Sequence, residues 1–227
     1  MTEIPLVLVA HGTREPSGPQ EIEQIKKAVA EHLRGVPLRV AYVDVIGPTV
    51  ADVLRRIDGP VVALPAFLAS GYHVRTDLPD QIAESGRSAD VQIAEALGPA
   101  PEIADAMVDR LTSAGWRPGN RVLFSAAGSS DQRALEDVRL AAHLLGRRCG
   151  QWLSPSYITT AQPLTAELCG AGKRPFIAPY LLAPGLFHRQ LRELPAEVAD
   201  PIGAHPQVVR LIAQRYWAAC QKHASVA

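Results

Sequence analysis

Apolar residues fall into short unbroken blocks along this chain, and each block gives way to a stretch where they recur every third or fourth position. Ile4–Ala10 is such a block, suited to a strand buried on both faces, and Ile22, Ile25, Val29 and Leu33 follow at helical spacing. Ser17 and Gln20 have the spacing of a capping box, with Pro19 and Glu21 favourable in the first turn, so the first helix is expected to begin on a Ser17 cap. Residues 37–45, 60–67 and 89–97 predict three further strands, 49–57 a second helix, and 102–111 a helix that closes the unit. The alternation predicts an α/β fold with a parallel sheet.

The pattern then starts again. RVLFSAAGSSD (121–131) parallels LVLVAHGTRE (6–15), FIAPYLLAPGLFHRQL (176–191) parallels ALPAFLASGYHVRTDL (63–78), and 201–216 parallels 95–111. Gly12 pairs with Gly128 and Gly71 with Gly185, a nearly constant offset that points to a duplicated unit. The expected domains are 1–115 and 116–227, joined through SAGWRPGN (113–120), each a parallel sheet of about four strands flanked by helices, with a cleft between them.

Open parallel sheets bind ligands beyond the carboxyl ends of their strands. With strand order 2-1-3-4, His11 past the first strand and His73 in the loop past the third meet at one rim, and Gly71 is expected to allow a tight path before His73. The second copy has Ala127 at the position of His11 and Phe187 at that of His73, with His188 one residue later. It therefore reads as the opposite wall of the cleft. Tyr180, Leu181, Leu182, Leu186 and Phe187 belong to that wall or to the core.

Composition narrows the chemistry. The 227 residues, 47% hydrophobic, suffice for one substantial core or two small ones, and Lys+Arg equals Asp+Glu at 23 each, which gives no basic excess for nucleic acid. Cys149, Cys169 and Cys220 are too few and too dispersed for a disulfide framework or a CxxC site, and no apolar run approaches the roughly 20 residues of a membrane span. The expectation is a cytoplasmic monomer with no nucleic-acid or membrane partner.

VAHGTREP together with PAFLASGYHVRTDLP resembles the paired signatures of the class II chelatases, the sirohydrochlorin cobaltochelatases and ferrochelatases. The resemblance covers nearly the whole chain. It implies two flavodoxin-like domains, ATP-independent insertion of a divalent metal into sirohydrochlorin, no prosthetic group, and metal-handling histidines at His11 and His73. The family also has an acidic residue after the second strand, where glutamate is common and this chain has Asp44; a structural role for Asp44 is weighed equally with a metal role.

The chemistry asks for these residue types on its own account. Neutral imidazole both ligates first-row metals and accepts a pyrrole proton, and a site with few protein ligands leaves positions open for the incoming nitrogens. A carboxylate-rich substrate calls for cations, here Arg14, Arg75 and Arg189, with Gly71, Tyr72 and His188 beside them as further substrate contacts. Asp77 reads as the cap of the helix that Pro79 helps to start, and His32, His143, His205 and His223 as surface or packing residues. A histidine phosphatase would want arginine where Ala10 stands, and a dinucleotide enzyme GxGxxG where HGTREPSG stands. A noncatalytic tetrapyrrole or metal carrier stays open. Iron is favoured over cobalt because the sequence stops at Ala227 without a histidine- or cysteine-bearing extension.

Overall fold

The computed structural model describes residues 3–170 and 174–224; Ala227 lies outside the described residues. The first half runs β1 (Leu6–Ala10), α1 (Ser17–His32), β2 (Leu38–Tyr42), α2 (Val50–Leu54) and β3 (Val61–Pro65). A single π-helical turn, His73–Asp77, then leads directly into α3 (Leu78–Glu84), followed by β4 (Val91–Ile93) and α4 (Pro101–Ser113). The second half runs β5 (Val122–Ala126), α5 (Gln132–Cys149), β6 (Pro155–Tyr157), α6 (Thr165–Leu168), β7 (Phe176–Tyr180), α7 (Leu186–Arg192), β8 (Glu197–Val198) and α8 (Pro206–Ala224). Two parallel sheets result, ordered β2-β1-β3-β4 and β6-β5-β7-β8. The predicted strand at 89–97 shortens to Val91–Ile93: the pairing with β3 ends at Ile93 opposite Ala63, and the last hydrogen bond is from Ala94 N–H to the Ala63 carbonyl at 2.9 Å.

The inner strands β1, β3 and β5 bury both faces, and the alternation sorts their side chains into two layers. Leu6, Leu8 and Ala10 join one large core together with Leu64, Phe124, Ala178, Ile25, Leu145 and Ile212, residues drawn from both halves. Val7 and Val9 point the other way, against Val53 and Leu54 of α2 and Leu78 and Ile82 of α3. On the far side of the second sheet, Ile177 packs with Leu191 of α7 and Cys169. A fully buried side chain of this kind contributes about 1.5–3 kcal/mol, so the shared central core dominates the stability of both sheets.

Two expectations are corrected here. The helix at 102–111 does not close its own unit: α4 packs on α5 and β7 of the second half, and α8 returns to pack on α1, β3 and β4 of the first. The halves thus exchange their closing helices, and α4 and α8 also touch each other. Nor does Ser17 cap α1. Pro16 takes the N-cap position with φ −57°, already helical, so the helix starts a residue early and Ser17 falls inside the first turn, with no side-chain cap.

The duplication extends to backbone detail. Gly12 (φ +94°) and Gly128 (φ +109°) each lie where a Cβ would come within 2.1 Å of the Asp44 carbonyl or 2.0 Å of the Thr159 carbonyl. Both the left-handed conformation and the contact demand glycine. Cis bonds at Gly47–Pro48 and Gln162–Pro163 follow at matching places.

Candidate active site

Strand β1 delivers His11 to the rim because its last residue, Ala10, is still paired with Tyr42 of β2. The pairing continues one step further: Val43 N–H donates to the Ala10 carbonyl at 2.9 Å and Asp44 N–H to the His11 carbonyl at 3.0 Å. The exposed His11 side chain therefore stands on a backbone held by the segment that follows β2. Its Nδ1–H donates to the Gly12 carbonyl at 2.8 Å, since a carbonyl can only accept.

His73 arrives from the other side of the switch point, on the π-helical turn after β3. Leu78 N–H bonds back to the His73 carbonyl, five residues earlier, which widens the turn; such turns recur at functional sites. Asp77, four residues on, accepts a hydrogen bond from His73 Nδ1 at 2.5 Å. Asp77 is thus not the cap of α3: it makes no cap hydrogen bond and spends its carboxylate on the imidazole. Phe67 stacks at 6.2 Å on the His73 ring, and the exposed Tyr72 meets it edge-on at the same distance.

The two imidazoles stand perpendicular, with centroids 4.4 Å apart and Nε2 atoms 3.0 Å apart. In each ring Nδ1 carries the donated hydrogen, so in the neutral form both Nε2 atoms turn lone pairs toward each other. Such a contact becomes attractive only when a cation, a proton or a metal ion, lies between. Two imidazole–metal bonds of about 2.1 Å meeting at a right angle span roughly 3.0 Å. The observed 3.0 Å separation has room for one ion shared by the two nitrogens.

Asp44 does not join them. Its Oδ1 accepts from Val45 N–H at 2.7 Å, a local bond that supports the left-handed Val45 (φ 68°). Among the described residues no group of three or more His, Cys, Asp or Glu is arranged to hold a metal ion. His188 is buried in α7, its Nε2 at 3.2 Å from the Ala199 carbonyl, and it offers no exposed ring at the rim. Burial pushes its imidazole below the ordinary histidine value, outweighing that hydrogen bond. Gly71 does not adopt the left-handed conformation, and a Cβ there would meet Ala134 at an ordinary 3.5 Å.

The cationic residues divide. Arg14 is exposed, whereas Arg75 pairs with Asp131 and Arg189 with Glu15 at 2.8 Å, both across the halves. Burial pushes the Asp131 carboxyl up, but the Arg133 amide and the Arg75 guanidinium outweigh it and hold it below the usual carboxylate range. Further ties cross nearby: Tyr180 O–H donates to the Leu68 carbonyl at 2.6 Å and Ser70 N–H to Asp137 at 2.7 Å. Beside His11 lies a cavity of about 140 Å³, mostly apolar, lined from the second half by Leu182 and Ala183.

Sequence reasoning missed Asp77 as the partner of His73, and Glu15 and Asp131 as partners of the arginines. The four-residue spacing from His73 to Asp77 is a legible signal for the first. The matching places of Glu15 and Asp131, each three residues after the paired glycines, is one for the others.

The CbiX family model matches residues 5–114 and again 121–219. The sirohydrochlorin cobaltochelatase of Methanopyrus kandleri is 27% identical over 139 residues, 49% of this chain and 96% of that protein; the one of Methanococcoides burtonii is 25% identical over 48% and 94%. Among solved structures, SirB from Bacillus subtilis with Fe3+ superposes with TM-score 0.81 at 22% identity, covering 96% of this chain and 95% of that one. CbiX described as the terminal enzyme for biosynthesis of siroheme in denitrifying bacteria superposes with TM-score 0.73 at 25% identity, covering 95% and 99%. Among the described residues no helix is long and apolar enough to cross a membrane.

Proposed function

Because the chain belongs to the CbiX family, whose model matches both of its halves, we propose that it is a sirohydrochlorin chelatase, a lyase-class enzyme that inserts a divalent metal into the tetrapyrrole without ATP. The observation that carries this reading is the His11–His73 pair, with Nε2 atoms 3.0 Å apart and both Nδ1 atoms engaged by Gly12 and Asp77. The pair receives the metal substrate on two lone pairs and, once the macrocycle is seated, the same nitrogens accept the pyrrole protons as the ion passes to the ring. Two protein ligands hold the ion loosely enough to give it up. Asp44 supports His11 through its backbone and supplies no ligand in this reading.

The domains expected at 1–115 and 116–227 serve as two walls of one site, so a monomer is sufficient. Iron is the preferred metal: the tandem layout is shared over nearly full length with the siroheme enzyme. Cobalt is the second reading, favoured by the names of the curated relatives; imidazole accepts either ion. The test is anaerobic metallation of sirohydrochlorin by limiting protein with Fe²⁺ or Co²⁺ and no nucleotide, followed in the visible spectrum. The expected result is many turnovers, with higher kcat/KM for Fe²⁺. A rate no faster than the spontaneous one with both metals would make the protein a carrier, and higher kcat/KM for Co²⁺ would replace iron by cobalt.

A further inference from the structure

The rim carries an internal symmetry that the histidines do not share. Arg75 lies four residues after Gly71 and Arg189 four after Gly185; Glu15 lies three after Gly12 and Asp131 three after Gly128. Each copy's arginine is paired with the other copy's acid: Arg75 with Asp131, and Arg189 with Glu15. The second copy lacks both imidazoles yet has the arginine and the acid, so this pair of bridges is independent of the metal chemistry.

The bridges also lie on the segments that carry the histidines: Arg75 is two residues from His73 and Glu15 four from His11. The cavity beside His11, about 140 Å³, opens to solvent, and a tetrapyrrole is larger than the roughly 300–1,000 Å³ site of a drug-sized molecule, so a seated macrocycle extends past the cavity and over the rim. Loops of the two halves meet closely there: a Cβ on Gly71 would touch Ala134, and one on Gly185 would lie 3.9 Å from Glu15 Cγ.

Resting on the tetrapyrrole reading above, we propose that Arg75–Asp131 and Arg189–Glu15 form a two-point latch which the carboxylates of the substrate open by exchange. A substrate carboxylate takes over each guanidinium; the displaced Glu15 turns to water, and Asp131 is left facing water where it stands. The number of ion pairs is conserved, so exchange costs little. Arg189 and Glu15 keep 54% and 33% of their side-chain surface exposed, and exposed pairs of this sort contribute little. Asp131 stays anchored by its other oxygen, which accepts from Arg133 N–H at 2.9 Å at the start of α5, so Arg75 is the partner that swings. The arrangement selects a macrocycle with acidic groups at two separated edges.

The experiment is direct binding of metal-free sirohydrochlorin, read by its absorbance and fluorescence, to the full chain and to Glu15→Gln, Asp131→Asn, their double variant, Arg75→Gln and Arg189→Gln. Asn still caps a helix, so Asp131→Asn leaves α5 intact. Each acid-to-amide change should tighten binding about two- to fivefold, the size of an exposed pair removed from the free state, and each arginine change should weaken it. Salt dependence separates this from a structural effect: the wild type trades pair for pair, whereas the double variant forms two new pairs on binding and should lose affinity more steeply with salt. Unchanged or weakened binding in both acid variants, with the wild type binding normally, overturns the latch alone. A wild type that does not bind sirohydrochlorin overturns the chelatase reading beneath it.

Discussion

At the scale of single residues, the site depends on which nitrogen of each imidazole is left bare. His11→Ala and His73→Ala should each cut metallation by about 10²- to 10⁴-fold in a protein with unchanged circular dichroism, because both side chains stand at the rim and not in the core. Asp77→Asn tests the partner: an amide accepts the Nδ1–H less strongly, and loss of such a partner costs about 10- to 100-fold. The ¹⁵N shifts of His73 would then show the tautomer mixture broadening, which a merely structural aspartate would not cause. His11 and His73 were legible because each follows an apolar strand, whereas Asp77 before Pro79 has the same appearance as a helix cap. Only coordinates tell a carboxylate aimed at an amide from one aimed at an imidazole. His188 makes a different prediction. Its value is lowered by burial, as is that of His205, so below the ordinary histidine range the unfolded chain binds protons that the folded chain refuses. Stability therefore rises with pH across that interval and is lost as pH falls from the ordinary value toward the lowered one. His188→Leu should flatten this acid limb in urea unfolding at pH values below the ordinary histidine value, with His205 leaving a residual slope; an unaltered slope would exclude His188 as its source.

At the scale of elements, the strand ends are held by backbone contacts that admit no Cβ. Gly12→Ala should destabilise by about 2–3 kcal/mol, combining left-handed strain with the clash against the Asp44 carbonyl. Because Asp44 N–H holds the His11 carbonyl, the same change should reduce metallation. Gly128→Ala should cost similar stability while touching activity less, since no imidazole follows Ala127. Gly35→Ala is the control, with a positive φ but nothing within 4 Å of the added carbon; denaturant midpoints and turnover of the three variants decide. Strand order and helix spacing were readable because period-two and period-3.6 patterns differ. The destination of α4 was not, for Ile103, Met107 and Leu111 mark an apolar face without saying which sheet it covers. The start of α1 was misplaced for a related reason: Ser17 and Gln20 have the right spacing, but Pro16 already holds the helical conformation.

At the scale of the whole molecule, the duplication implies two bodies where the packing has built one. Calorimetry should record a single unfolding transition whose van't Hoff and calorimetric enthalpies agree; two resolved peaks would mean that the halves melt apart. The exchange of α4 and α8 has a further consequence for how the chain is assembled. A nascent first half, residues 1–115, carries a helix whose partner strands have yet to be made, and its own sheet has no α8 to cover it. Synthesis must therefore pass α8 before the first sheet is sealed, so the first half waits on an element of the second. Truncation before Pro206 should strip one face of the first sheet, the half that bears both histidines, although the cut lies some two hundred residues from His11. A lesion at the far end of the sequence then silences the site at the near end.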